Sequence, residues 1–227
     1  MLSALPTPSP LLFWGFVILP LLVSAGVAAA IGHTAGQAAG RRAAFVLVLW
    51  LGATGALGAS GLLDTWAPPP MLGLFAAMLT FLAWSARQPW TERLGDLPLK
   101  ILVGFQAFRL AVEALLHLAV EEGVAHPTIT WTGTNLDIIA GVSALFLIPW
   151  ADRLSKPSLQ AWNVGMAGIL GATVITAILA APTPFRQIAG EPPNVFIAAF
   201  PFVWLPATLV MAAWLGHIVL FRRLRRN

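Results

Sequence analysis

Seven apolar runs follow one another along the chain, separated by short segments that carry most of its charge. About 20 apolar residues in a helix cross the hydrocarbon of a bilayer. The runs predict spans over Pro10–Ile31, Ala43–Leu63, from just after Pro70 to Ala86, Pro98–Val120, Asn135–Trp150, Pro157–Ala181 and Asn194–Phe221. Pro20 should kink the first. Pro68-Pro69-Pro70 separates the second from the third.

Composition agrees with this pattern. Of 227 residues, 58% are hydrophobic and 10% are charged, and the mean hydropathy is +0.82. A soluble domain carries about 25% charged residues, so lipid is the solvent that suits this chain. The expectation is all-α: an integral membrane bundle of seven transmembrane helices, with residues 1–227 forming one polytopic domain and no room for a soluble one. Cysteine is absent, which excludes disulfides, thiolate metal sites and cysteine nucleophiles. Tyrosine is absent too, leaving ten Trp for the membrane interfaces.

The net charge of +4 and pI near 11.1 would suggest nucleic acid in a soluble protein. Here the basic residues sit in short loops beside apolar spans, so no nucleic-acid partner is expected, and membrane lipids are. With the N-terminus outside and the C-terminus in the cytoplasm, eleven of the thirteen Lys and Arg fall on the inner side. Arg186 falls outside and Arg109 within a span. Merging or splitting one helix would scramble this alternation, so the positive-inside bias supports count and orientation together. Asp64, Glu121, Glu122 and Glu191 fall in the outer loops. Ala28-Ala29-Ala30 is shaped like a cleavage site, but no positive charge precedes it, so the first helix is expected to stay attached.

Gly52, Gly55, Gly58 and Gly61 recur every third residue, and Gly32, Gly36 and Gly40 every fourth. Small residues let helix backbones approach closely in lipid. No strand precedes either set and no Lys-Ser/Thr follows, so neither is a phosphate loop.

Chemistry concentrates in the fourth span. Arg109, Glu113 and His117 are spaced four apart and stack along one helical face, with Gln106 one turn further in. A central Arg or Glu facing lipid costs at least about 2.5–3.5 kcal/mol, so this face must turn to the bundle interior or to a wet cavity. Two readings follow. Arg109 and Glu113 form a structural ion pair, with His117 bonded to a neighbouring helix. Alternatively, the face lines a site for a small polar solute or a proton, with Glu113 exchanging the proton, Arg109 holding it ionised or binding an anion, and His117 relaying near the outer mouth.

Asn135 and Asp137 open the fifth span at about the depth of His117, just after Trp131. Arg186 belongs to the Pro-rich loop before the seventh span, so Glu113, His117, Asp137 and Arg186 are candidates for a shared outer-half pocket. Pro201 and Pro206 should open backbone in the seventh span, either at that site or to improve packing. Asn163 reads as interhelical glue.

Other chemistries fit less well. Glu113, His117 and Asp137 offer three ligands for a metal-dependent enzyme, although Glu-x-x-x-His is not a zinc motif. The His-x-x-x-His pair of ceramidase-type and adiponectin-receptor-type seven-span hydrolases is absent, because Phe221 stands four residues after His217. His33 and His217 lie near the inner face and read as interfacial histidines rather than haem ligands, and no cofactor is expected. The seventh span has no lysine for a retinal Schiff base, and no Gly-x-Ser-x-Gly marks a serine hydrolase. A non-catalytic membrane subunit or scaffold is the remaining class.

The segments FRLAVEALLH, GTNLDIIAGVSA, APTPFR and FPFVWLPATLV resemble those of a family of small bacterial inner-membrane proteins without assigned function. That resemblance covers most of the chain from the fourth span onward. It implies a seven-helix bundle in a bacterial inner membrane and carries over no activity, substrate or residue role. The richness in Ala, Gly, Pro and Arg suits a GC-rich bacterium.

Overall fold

The computed structural model describes residues 6–63 and 68–226, and within them every regular element is helical. Asp64, placed above in an outer loop, lies outside the described residues. Five helices are long and apolar enough to cross a membrane: α1 (Pro10–Ala35), α2 (Gln37–Ala59), a continuous Leu99–Glu121 segment, α8 (Lys156–Leu179) and a Leu205–Arg225 segment. The Leu99–Glu121 segment consists of α5 (Leu99–Gly104), one tighter turn over Phe105–Ala107, and α6 (Phe108–Glu121). The Leu205–Arg225 segment opens with a π-helical stretch, Leu205–Val210, and continues as α9 (Met211–Arg225). Two shorter apolar helices stand where the third and fifth spans were predicted, α3 (Pro68–Ala86) and α7 (Asp137–Leu147), the latter extended by a turn to Trp150. A short α4 (Pro89–Leu94) follows α3.

Local chemistry starts these helices. Ser9 caps α1 by accepting from the Leu12 amide at 3.2 Å, with Pro10 in the first turn, where its missing N–H costs nothing. Ser155 does the same for α8 from Ser158, with Pro157 beside it. Between α1 and α2 the expected polar loop is almost absent, because Gly36 reverses the chain in one residue at φ +92°. Gly32 and Gly40 then touch backbone to backbone, the role foreseen for them. In α2, Gly55 and Gly58 pack against Trp204 and Val203, whereas Gly52 meets nothing. A three-residue repeat drifts around a helix that turns every 3.6 residues, so only part of the set shares the packed face.

The predicted seventh span begins eleven residues late. Pro192, Pro193 and Pro201 interrupt the segment before Leu205, and proline has no amide for a helical bond. Asn194, completely buried, holds this irregular stretch by donating to the Ala177 carbonyl at 2.8 Å. Non-helical backbone is tolerated at membrane depth only when buried like this. Two indoles fasten α2 to the π-helical stretch: Trp50 donates to the Ala207 carbonyl at 2.7 Å, and Trp204 to the Leu51 carbonyl at 3.0 Å.

The Leu205–Arg225 segment is the most buried of the long helices and packs on α3, α5 and α8. Large apolar side chains such as Leu11, Phe45, Leu79, Phe146 and Ile175 lie exposed around the bundle. Water would not tolerate such a surface, and a bilayer does. The chain is thus a multi-pass membrane protein in architecture. Charge divides its two ends. At one, Arg226 pairs with Asp96 at 2.8 Å, Lys156 donates to the Arg226 carbonyl, and Arg41, Arg42 and Arg93 border one cavity. At the other, Glu122 accepts from the Ser9 amide at 2.8 Å.

Candidate functional site

The helix at the predicted fifth span is too short to cross the hydrocarbon by itself. From Asp137 to Trp150 it rises roughly 21 Å, against a hydrocarbon thickness of about 30 Å. Its first residues therefore begin deep in the bundle, and the preceding segment folds inward with Ile129, Thr130 and Asn135 all buried. Asp137 thereby reaches the level of Arg109, two turns below the position expected from sequence.

Helical side chains lean toward their own N-terminus. The Leu99–Glu121 helix starts at the basic end and α9 finishes there, so Arg109 and His217 lean toward each other. Arg109 holds Asp137 in a two-pronged pair, Nε donating to Oδ2 at 2.7 Å and Nη2 to Oδ1. Its Nη1 lies 3.2 Å from Nε2 of His217. A guanidinium only donates, so Nε2 must accept and the imidazole proton sits on Nδ1. That proton goes to Oδ1 of Asn163 at 2.8 Å, and the Asn163 amide donates to the His217 carbonyl at 3.0 Å. His217 is therefore a neutral member of the network, not an interfacial histidine.

Glu113 does not pair with Arg109 as its spacing predicted, because Asp137 takes the guanidinium. One Glu113 oxygen accepts from the Asn135 side-chain amide, the other meets no hydrogen-bond geometry among the described residues, and the Trp131 amide and the Arg109 guanidinium both act on the carboxyl. Asn135 also donates to the Ile129 carbonyl at 2.8 Å and accepts from Thr173 at 2.7 Å and from the Asp137 amide at 2.9 Å. It thus ties α6, α7 and α8 together. Arg109 and Glu113 are each only 1% exposed, so the charge count inside matters. Arg109 and Asp137 cancel and His217 is neutral, so Glu113 feels only the guanidinium that Asp137 already occupies and has no second cation.

The remaining predicted residues fall elsewhere. His117 is half-buried, stacks on Trp131 at 4.3 Å and lies 3.5 Å from Glu121, so it borders the loop end rather than the network. Residues four apart advance 400°, and that 40° drift over each step carries His117 off the buried face. Arg186 folds back on its own loop, donating to the Gly190 carbonyl at 2.8 Å and to Ile188, because that loop turns away before Asn194. The shared pocket of Glu113, His117, Asp137 and Arg186 is therefore not formed. Gln106 is buried but bonds only the Ala213 carbonyl, at 3.2 Å. Glu113, His117 and Asp137 do not converge, and among the described residues no three His, Asp or Glu side chains form a metal-ligand group. Reading helix ends as interfacial hid His217, and Thr173 gave no signal beyond being polar in an apolar run. Asn163 performs the bridging role expected of it.

No known protein family, curated protein or solved structure compared with the chain matches it.

Proposed function

We propose that this chain is a seven-crossing protein of a bacterial inner membrane, N-terminus outside and C-terminus cytoplasmic, that moves protons or a proton-coupled small solute through the Arg109–Asp137–Glu113 layer. The positive-inside rule orients it, since the basic end belongs in the cytoplasm. α3 and α7 complete the count, and the buried irregular segment before α7 offsets its shortness. The observation that carries the functional reading is Glu113: a buried carboxyl with one oxygen outside hydrogen-bond geometry, next to an arginine already neutralised. The layer balances in charge when Glu113 holds a proton, so losing that proton requires an incoming cation. Asn135 is the hinge of that exchange, because it bonds the Glu113 carboxyl and the Asp137 backbone together.

A second reading has its own support. Arg109 donates from all three of its nitrogens, and neither large cavity of the bundle is lined by it or by Glu113. A dry, closed layer of this kind also suits a packing device in a non-catalytic subunit. Proteoliposomes with a trapped pH dye separate the two. Flux that disappears in Glu113→Gln, a variant that keeps the Asn135 bond and folds normally, supports the proton site. Equal flux in wild type, Glu113→Gln and empty vesicles supports the packing role.

A further inference from the structure

A second site lies away from that layer. A cavity of about 1120 Å³ opens between α2 and α3 at the basic end, larger than the roughly 300–1,000 Å³ of ordinary small-molecule pockets. Its walls are mainly apolar and aromatic, including Trp50, Phe81 and Trp84. Arg41, Arg42 and Arg93 stand at its rim, and among the described residues no carboxylate lines it. Arg41 and Arg42 make no ion pair among the described residues, whereas Arg93 lies 4.0 Å from Asp96. At its floor are Ser24 of α1 and Thr208 of the π-helical stretch, each more than nine-tenths buried, and neither hydroxyl has a hydrogen-bond partner.

Depth along the α1–α2 hairpin spaces these groups. Arg41 is five residues past the turn at Gly36, roughly 8 Å, and Ser24 is twelve residues before it, roughly 18 Å. Rim and floor are therefore roughly 10 Å apart. An occupant needs a negative charge at one end, apolar mass against the indoles, and hydrogen-bond acceptors further in. We propose that this cleft binds one anionic glycerophospholipid, its phosphate at Arg41, Arg42 and Arg93, its ester oxygens toward Ser24 and Thr208, and its chains leaving between α2 and α3. Side chains of α2 lean toward the basic end, so the guanidinium groups stand at the mouth, and the roughly 10 Å below them is spanned by the phosphate, the glycerol and its esters. Juxtamembrane arginines attract anionic leaflets generally. The aromatic walls and the two idle hydroxyls make this a defined site rather than a charged fringe.

The test is thermal stabilisation and native mass spectrometry of the detergent-purified protein, titrated in parallel with phosphatidylglycerol, with phosphatidylcholine of identical chains, and with inorganic phosphate. The expected result is one phosphatidylglycerol retained per chain, bound about tenfold more tightly than phosphatidylcholine, with phosphate alone inert. Arg41→Gln with Arg42→Gln should remove the discrimination, and Thr208→Val should weaken retention of both lipids without removing it. Equal binding of the two lipids, or stabilisation by phosphate alone, overturns the proposal. Unchanged discrimination in a folded Arg41→Gln/Arg42→Gln variant also overturns it.

Discussion

Breaking the Arg109–Asp137 pair tests the buried layer from its strongest contact. In Asp137→Leu the guanidinium stays behind, 1% exposed and without its two-pronged acceptor. Removing one partner of a buried pair costs about 3–5 kcal/mol, since a charge is left uncompensated. At roughly 2–4 °C per kcal/mol for a chain of this size, the midpoint should fall by roughly 6–20 °C. Arg109→Met, which strands the carboxylate, should fall by a similar amount. The double variant should recover most of the loss. It leaves chiefly Nε2 of His217 without its donor, worth about 1–3 kcal/mol, far short of the roughly 6–10 kcal/mol sum of the two singles. Glu113→Gln should move the midpoint little, because an amide oxygen still accepts from Asn135. The assay is thermal unfolding in detergent, followed by tryptophan fluorescence and size exclusion. Additive single losses, or a Glu113→Gln loss as large as that of Asp137→Leu, would refute the pairing.

Further expectations follow from the same geometry. A methyl group on Gly40 would sit 2.7 Å from the Gly32 Cα and 3.1 Å from the Ala28 carbonyl, so Gly40→Ala should cost about 1–3 kcal/mol. Gly52→Ala, which meets nothing within 4 Å, should be neutral or slightly stabilising by the same thermal assay. Burial lowers the affinity of the His126 imidazole for a proton, so its folded pKa lies below its unfolded value of about 6.5. The unfolded state then binds more protons below that pH, and stability of the loop end falls as the medium is acidified through it. Hydrogen exchange over residues 123–136 should quicken below about pH 6.5 in wild type and lose that dependence in His126→Asn. Because the chain lacks cysteine, single cysteines can report topology directly: Ser158→Cys should label from the cytoplasmic side and Thr183→Cys from outside.

Much of this was readable from sequence where lipid imposes a simple rule. Long apolar runs need no tertiary information to be recognised, which is why α1, the Leu99–Glu121 segment and α8 fall close to their predicted limits, while α2 starts six residues before its own because the α1–α2 turn is a single glycine. Charge also had to be hidden, so Arg109 and Glu113 were identified as buried before their partners were known. The partners were not readable, because they depend on how far each helix enters. A span beginning at Asn135 looked surface-deep, yet the shortness of α7 lowers Asp137 to Arg109. His217 looked interfacial because α9 was counted from Asn194, whereas the prolines delay the helix to Leu205 and its side chains lean back into the bundle. The cavity under Arg41 and Arg42 left no trace in sequence, since alanines and indoles at a helix end read the same whether the neighbouring helix is near or far.

The protonation of Glu113 is the central claim, and infrared spectroscopy in lipid measures it directly. The difference between wild type and Glu113→Gln at neutral pH should contain the carbonyl stretch of one protonated carboxyl group, lost in the variant. A difference that shows only the two carboxylate stretches, with no protonated carboxyl band, would mean that Glu113 is ionised and that the layer is balanced in some other way.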